Sequence, residues 1–478
     1  MKRILDPETI AAAYRAGNGR GAAMIALRPY QAAMVDAARQ AFAAGNRRVL
    51  LTAPTGAGKT VMFSAMVAAA AARGKRACVL VHREELLDQV SATLRSFRVA
   101  HSLIAAGKPM VNAAVQVASV FTLSRRMASA PAFDFVIVDE AHHVAKGNTW
   151  ARVLERYDHA HILGVTATPV RLDGRGLGAS FDVLVPGPQT ADLIKQGYLV
   201  PARVLGPPAQ IDTTGLATRG GDFERPGLNR RASSITGDIV WHYQRHASGK
   251  LAIAFCVSLE HANSMVAAFR SEGIHAEILD GKLPRDERAA RVARFRARQT
   301  LVLCTCDLVS EGFDCPGIEV AIQARPTQSL GLHLQQVGRA LRPAPGKSEA
   351  LILDHAGNYT RHGLPDWERE WKLTQDKQRP GKPPTLRTCS HCYAVVRSTV
   401  RECPVCHVAI TAPGLPKERK LTVQDGELID VSALAAMPYR DALRWARTEA
   451  QLEEVRKARG YHRAWVDHII ANRIGGGR

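Results

Sequence analysis

The sequence predicts an α/β protein: two parallel-sheet domains in tandem, followed by a short cysteine-rich module and a helical tail. Three observations carry that reading. Over residues 27–204, short apolar runs alternate with segments of helical length, the βαβ rhythm of a parallel sheet covered on both faces. The same rhythm returns over residues 233–370. Finally, 478 residues of which 46% are hydrophobic exceed one ordinary core and suffice for several.

The elements follow in order. Residues 1–26 form an N-terminal extension, and RVLLTA, ACVLVH, AAVQVASV, FDFVIVDE and HILGVTAT supply the strands of the first domain. Residues 205–232 are rich in Gly, Pro, Thr and Arg and read as a connector. The second series is LAIAFCVS, HAEILDG, TLVLCTCD, VAIQARP and EALILDHA. Residues 371–387 form a basic linker containing prolines, and residues 388–410 hold the clustered cysteines. Residues 411–478 turn to helical periodicity from about Asp430, where Leu434, Leu443, Trp445, Ala446, Leu452, Val455 and Trp465 read as a small core.

The net charge of +20 suits a phosphate polymer or an anionic membrane surface and does not choose between them. No run of about 18 apolar residues appears and the N-terminus lacks a signal-peptide pattern. The expectation is therefore a soluble, cytoplasmic protein with no membrane partner. Cys78, Cys256, Cys304, Cys306 and Cys315 sit in or beside strand-like runs and read as buried, reduced thiols.

APTGAGKT, Ala53 to Thr60, lies between a strand and a helix. Its glycines let the backbone N–H groups of Thr55, Gly56, Ala57 and Gly58 turn inward around phosphate oxygens; Lys59 adds a point charge and the Thr60 hydroxyl can ligate Mg²⁺. The usual first glycine is replaced by Ala53. FVIVDEAHH supplies the complementary part: Asp139 at a strand end to hold Mg²⁺ and Glu140 to polarise the attacking water, while His142 and His143 read as surface residues, metal ligands or, beside a nucleotide, a relay of γ-phosphate state to neighbouring loops.

TCSHCYAVVRSTVRECPVCH presents Cys389, Cys392, Cys403 and Cys406 as two C-x₂-C knuckles separated by ten residues. Four thiolates complete a tetrahedral structural Zn²⁺ site, and the intervening segment reads as a strand or hairpin, so a zinc ribbon is expected. A pair of redox-active knuckles would need a thioredoxin-like setting that the sequence lacks.

Together these motifs resemble superfamily 2 helicases of the DEAD/DEAH-box, DExH type, over roughly residues 27–358. The resemblance implies two RecA-like domains with ATP and Mg²⁺ between them. LRPYQ places Gln31 where such proteins contact adenine; LVHREELLDQ and QVASVFTL are similar to motifs Ia and Ib, and TATP to the motif that couples hydrolysis to movement; AFCVSLEHA and CTCDLVSEGFD are similar to IV and V. Gly312 and Asp314 would then lie near nucleotide. QQVGRALR matches motif VI, Q-x-x-G-R-x-x-R. That match implies that Arg339 and Arg342, on one helix face, meet the terminal phosphate held by the other domain, with Gln335 beside the attacking water or the phosphates. A nucleic-acid strand would run across the edge opposite ATP, with Arg83, Gln89, Ser119, Thr122, Gly281 and Thr305 as candidate contacts. The tail is similar to the C-terminal extensions of phage- and prophage-type members. A DNA helicase or translocase of a bacterial or phage-infected cell is the resulting expectation. Its alternatives are an RNA helicase, the motor subunit of a restriction or defence complex, and an ATP-switched clamp; replication or recombination proteins are further candidate partners.

Overall fold

The structure, a computed structural model, describes residues 26–171, 173–206, 213, 215–219, 222–224, 228, 236–306, 315–374, 386–389, 391–410, 437–462 and 464–475. The first domain runs α1 (Pro29–Ala43), β1 (Arg48–Thr52), α2 (Lys59–Ala71), β2 (Ala77–Val81), α3 (Glu84–Ser96), β3 (Ser102–Ile104), β4 (Val115–Ser119), α4 (Val120–Arg125), β5 (Phe135–Asp139), α5 (Thr149–Arg156), β6 (His161–Thr166), β7 (Val183–Pro186) and α6 (Thr190–Lys195). Its seven strands form one sheet in the order β3-β4-β2-β5-β6-β1-β7, parallel throughout. The five apolar runs read from the sequence are β1, β2, β4, β5 and β6; β3 and β7 are short edge strands whose apolar signal is too brief to stand out.

Alternation along a strand divides the core. On β1, Val49 and Leu51 join the cluster on one face of the sheet, while Leu50 joins the cluster on the other. The helix after the P-loop needs burial on most sides, and Met62 through Ala68 on α2 are all buried.

The second sheet has the order β12-β13-β11-β14-β15-β8. It is built from β8 (Ala202–Leu205), β11 (Ala252–Phe255), β12 (Ala276–Leu279), β13 (Val302–Thr305), β14 (Val320–Gln323) and β15 (Ala350–Asp354), again all parallel. A two-residue hairpin, β9 (Thr218–Arg219) with β10 (Asp222–Phe223), lies within the connector region. The helices are α7 (Thr236–Ala247), α8 (Leu259–Ser271), α9 (Arg285–Arg296), α10 (Leu330–Ala340) and α11 (Asn358–His362).

One boundary is corrected. Residues 202–204, assigned to the first domain in the sequence reading, are in β8, which pairs with β15 and so belongs to the second sheet. The chain has already crossed to the second domain at Val200, whose N–H donates to Leu341 O at 2.9 Å.

After the second sheet the chain returns to the first domain. Arg369 and Gln189 exchange backbone-to-amide hydrogen bonds of 3.0 and 3.2 Å, and Gly178 N–H donates to Thr374 O at 2.9 Å. A Cβ on Gly176 would lie 2.3 Å from that same carbonyl oxygen, so only glycine admits the returning strap.

The cysteine module also joins the second domain. Its hairpin, β16 (Leu386–Thr388) with β17 (Val395–Arg397), meets the sheet edge through an antiparallel bridge from Leu205 to Ala394. Cys389, Ala394, Val396 and Cys403 share a core with β11 and β14.

Residues 437–475 form a separate helical unit, α12 (Tyr439–Trp445), α13 (Glu449–Arg459) and α14 (Ala464–Gly475). Ala442, Ala446, Leu452, Val455, Val466 and Ile469 are its buried core, with Leu443, Trp445 and Trp465 packed against them. Leu434 lies outside the described residues. No helix among the described residues is long and apolar enough to cross a membrane.

Candidate phosphate cleft and metal site

The phosphate loop leaves β1 at Thr52 and enters α2 at Lys59. Gly56 and Gly58 have φ of +90° and +76°, a region that a Cβ disfavours. At Gly58 a Cβ would also lie 2.4 Å from Gln31 Nε2. Lys59 Nζ donates back to the carbonyls of Ala53 (3.2 Å) and Pro54 (3.4 Å), which holds the loop curled. Burial pushes the Lys59 ammonium pKa down, opposed by the nearby Glu140 and Asp139 carboxylates.

Asp139 ends β5, where burial and then the charge of Glu140 push its carboxyl up to about 7. Glu140 turns away in a left-handed conformation, φ +51°, a costly geometry for a side chain and one that clusters at functional sites. Its N–H donates to Asp139 Oδ1 at 3.0 Å, and its buried Oε2 faces His142 Nδ1 at 3.4 Å without a hydrogen bond. An acidic oxygen held this way can meet a water or the hydration shell of a cation, so the donor set fits Mg²⁺ chemistry. His142 points inward, 3.1 Å from Thr166 Oγ1, and that hydroxyl is bonded in turn to Thr168.

The opposite wall is α10. Ser329 caps it by accepting Leu332 N–H, and Gly331 lies where a Cβ would be 2.9 Å from Thr168 Oγ1. One face further along, a Cβ on Gly338 would be 2.5 Å from Thr55 Cβ. The glycine of QQVGRALR thus lets the second domain seat directly on the phosphate loop.

Arg339, only 6% exposed, and Arg342 both reach the cleft, and both add to the field that lowers the Lys59 pKa. The expectation that the two arginines share one helix is corrected. The helix ends at Ala340 with Leu341 as its cap, and Arg342 lies beyond it, because a residue before proline, here Pro343, is disfavoured in helical conformation. The terminus is held instead by Lys347, whose ammonium donates to Ala340 O and, at 2.7 Å, to Arg342 O. Gln335 is buried one turn before Arg339.

A cleft of about 910 Å³ is lined from the first domain by Thr55, Gly56, Gly58, Lys59, Thr60, Asp139 and Glu140, and from the second by Arg339 and Arg342. That volume lies within the range of small-molecule sites. Ion pairs bridge its far end, from Arg288 to Glu85 at 2.7 Å and from Arg285 to Asp88. Nothing in the local sequence singles out α3 and α9 as partners; their opposite charge is the one available signal.

Gln31 spends its amide on the loop, donating to Ala57 O at 2.9 Å and accepting Arg28 N–H at 2.9 Å. Gly312 and Asp314 lie outside the described residues. Of the candidate strand contacts, Ser119 and Thr305 end β4 and β13, and Arg83, Thr122 and Gly281 follow strands β2, β4 and β12. All five are therefore at the C-terminal edges of the two sheets; in the first sheet that is also the edge from which the phosphate loop and Asp139 leave β1 and β5, so the expected placement on an edge opposite ATP is corrected. Gln89 differs: it lies on α3 and lines the cleft with Lys59. Its helical placement, one turn after Glu85, turns it toward α9.

In the cysteine module, Cys389 and Cys406 sulfurs are 3.7 Å apart and Cys392 and Cys403 sulfurs 3.6 Å apart, with all four within 4.8 Å of one another. Tetrahedral Zn–S bonds of about 2.3 Å require sulfur separations of about 3.8 Å. The four thiols fit that ion. Among the described residues this is the one cluster of metal-ligating groups with such geometry. The other five cysteines are buried, as their strand positions predict.

Comparison with known proteins agrees with this construction. Residues 24–171 match the family described as type III restriction enzyme, res subunit, and residues 235–344 match the helicase conserved C-terminal domain. A 51.5 kDa protein of a Lactococcus phage is 34% identical over 362 residues, covering 75% of this chain and 77% of the phage protein. Irc3 of Schizosaccharomyces pombe, named for a mitochondrial ATP-dependent helicase, is 33% identical, covering 71% of this chain. The matched region spans 58% of that protein, and 51% of its Saccharomyces cerevisiae counterpart.

Among solved structures, a fragment assigned as the HsdR subunit of a Vibrio vulnificus type I restriction enzyme superposes with a TM-score of 0.56 at 24% identity, over 70% of this chain and 65% of that one. S. cerevisiae Dbp5 bound to RNA and ADP BeF3 superposes with a TM-score of 0.51 at 16% identity, over 71% of this chain and 92% of that one. These likenesses establish the fold. With its paired motifs facing one cleft, the chain belongs to the superfamily 2 helicases of the DExH type.

Proposed function

We propose that this helicase is a DNA-stimulated ATPase that converts closure of the cleft into movement along a strand. The observation that carries the reading is the seating of Gly338 on Thr55, which brings Arg339 and Arg342 onto the cleft that Lys59, Asp139 and Glu140 already line. In this reading the loop N–H groups and Lys59 hold the phosphates. Thr60 and Asp139 would hold Mg²⁺, which would supply charge to neutralise phosphate oxygens. Glu140 orients and deprotonates the attacking water, with Gln335 supporting that wall of the site. Arg339 and Arg342 stabilise the charge that develops on the transferring phosphoryl group, and they do so only in the closed arrangement. His142 carries the state of Glu140 to Thr166 and Thr168, and Thr168 touches Gly331 on α10.

The strand would lie along the C-terminal edges of the two sheets, meeting Arg83, Ser119, Thr122, Gly281 and Thr305 and gaining affinity from backbone contacts without base readout. Zn²⁺ in the Cys₄ site would close the module onto the second sheet and leave no open position for catalysis. A role as motor of a restriction or defence assembly is the second reading, favoured by the match to a restriction subunit over residues 24–171.

The test is ATP hydrolysis by the protein and its Lys59→Ala variant on single-stranded DNA, duplex DNA, forked DNA and RNA. Stimulation by a DNA polymer, abolished in Lys59→Ala, is expected. Stimulation by RNA alone overturns the substrate assignment, and no stimulation by any polymer overturns the motor.

A further inference from the structure

The C-terminal end of α10 is buried, and a buried helix end leaves carbonyl groups that must find donors. Leu341 O accepts Val200 N–H, and Lys347 serves the carbonyls on either side of it. The Lys347 ammonium donates to Ala340 O, to Arg342 O at 2.7 Å, and to a third carbonyl, Ile318 O. An ammonium has three N–H donors and no acceptor, so every donor is spent on backbone.

Those carbonyls come from the two stretches of the second domain that line the cleft. Ile318 lies between Pro316 and β14, and Pro316 faces the cleft beside Arg339, Arg342 and Pro343. Lys347 is not among the lining residues, so it ties both stretches together from behind. A turn carries it there: Lys347 N–H donates to Ala344 O at 3.1 Å, with Pro345 and Gly346 between them and Gly346 at φ +75°. Proline followed by a glycine of positive φ is the pattern of a type II turn.

Burial pushes the Lys347 ammonium down to about 8, assisted by the Arg342 guanidinium and opposed by the Glu319 carboxylate and the Cys315 thiol. Glu319 is itself engaged by Leu251 N–H and by Arg298. The charge is therefore kept in place chiefly by the three carbonyls, and bonds from a charged donor are the stronger kind. We infer that Lys347 is a positioning residue for hydrolysis, holding the backbone of Arg342 so that its guanidinium is presented to the terminal phosphate. The inference rests on the reading of Arg342 given above.

The experiment measures phosphate release and equilibrium ATP binding by the full chain with saturating single-stranded DNA. Lys347→Met keeps the length of the side chain without its charge; it should lower kcat about 10- to 100-fold, the scale of a misplaced catalytic group, while ATP affinity changes less than about threefold. In an Arg342→Ala background the same substitution should change kcat less than about twofold, because two residues that act as a unit are not additive. If Lys347→Met does not fold, the pH profile decides. Wild-type kcat should fall as pH rises through about 8, where the ammonium becomes an amine and loses its charge and one donor. Lys347→Arg stays charged and should hold its kcat to about pH 9.5; both proteins share every other titrating group, so the difference between the profiles belongs to residue 347. The inference is overturned if Lys347→Met keeps the wild-type kcat, if its loss is as large in the Arg342→Ala background, which would mark Lys347 as a support of the fold alone, or if Lys347→Arg follows the wild-type decline. Failure of the underlying reading looks different: Arg342→Ala by itself would leave kcat unchanged.

Discussion

The two walls of the phosphate cleft are made in opposite ways. On the first domain, the loop, Lys59 and Thr60 follow one another along eight residues, and their shape comes from two glycines with positive φ and a lysine bonded to its own loop carbonyls. On the second domain, Arg339 and Arg342 straddle a helix end and owe their position to contacts far away in sequence: Gly338 on Thr55, Val200 on Leu341, and Lys347 beneath the helix terminus. Under the proposed function, the difference makes phosphate binding a property of one domain and turnover a matter of how the second is seated.

The largest expected effect tests that division directly. Arg342→Ala or Arg339→Ala should lower kcat by about 10³-fold or more, as loss of an arginine finger does, while ATP binding changes by less than about tenfold. Lys59→Ala should remove binding and turnover together. Steady-state phosphate release combined with equilibrium nucleotide titration distinguishes the two patterns, and equal loss of binding in both would erase the comparison.

A smaller effect is expected at the seam. Gly338→Ala places a methyl group 2.5 Å from Thr55 Cβ. Overpacking of this kind costs about 1–3 kcal/mol, so kcat should fall roughly 5- to 150-fold with nucleotide affinity unchanged. If kcat is unaffected, the cleft does not need to close this tightly for hydrolysis.

The metal module belongs with the second wall. Chelation of Zn²⁺, or Cys403→Ser, should lower the melting temperature of the second domain by about 5–10 °C, since Cys389 and Cys403 share its core. Differential scanning calorimetry reads this shift. A melting profile unchanged by chelator would mean the thiols stabilise the module without metal.

The smallest effect is assigned to the ion pairs across the far end of the cleft. Arg288→Ala removes the 2.7 Å contact with Glu85, whose side chains are 16% and 32% exposed. Partly solvated pairs contribute up to about 1 kcal/mol, so turnover should change less than about fivefold, and the change should vanish in about 1 M salt. A large effect that persists in salt would show that α3 and α9 form part of the engine.

Much of this was legible before any coordinates. Buried parallel strands announce themselves as unbroken aliphatic runs, and ten of the thirteen strands that the two sheets have among the described residues coincide with runs read from the sequence. The exceptions, β3, β7 and β8, are peripheral: all three are edge strands of three or four residues. The thiol quartet was equally plain, because two C-x₂-C knuckles specify a metal site with little help from the rest of the fold. Helix spacing misled at Arg342, where the proline that follows overrides periodicity.

By itself the sequence determined the phosphate loop, the acidic strand end, the order of motifs and the four thiols, because each is made by residues within a few positions of one another, where backbone sterics and ligand chemistry decide the outcome. Tertiary structure alone decided the rest. That Gly338 must be bare to meet Thr55, that Gly176 must be bare to pass Thr374, and that Lys347 beneath Arg342 also meets Ile318 are facts about surfaces brought together from distant segments. Close packing sets such meetings to within a methyl group, and no local pattern encodes the neighbour that will fill the space.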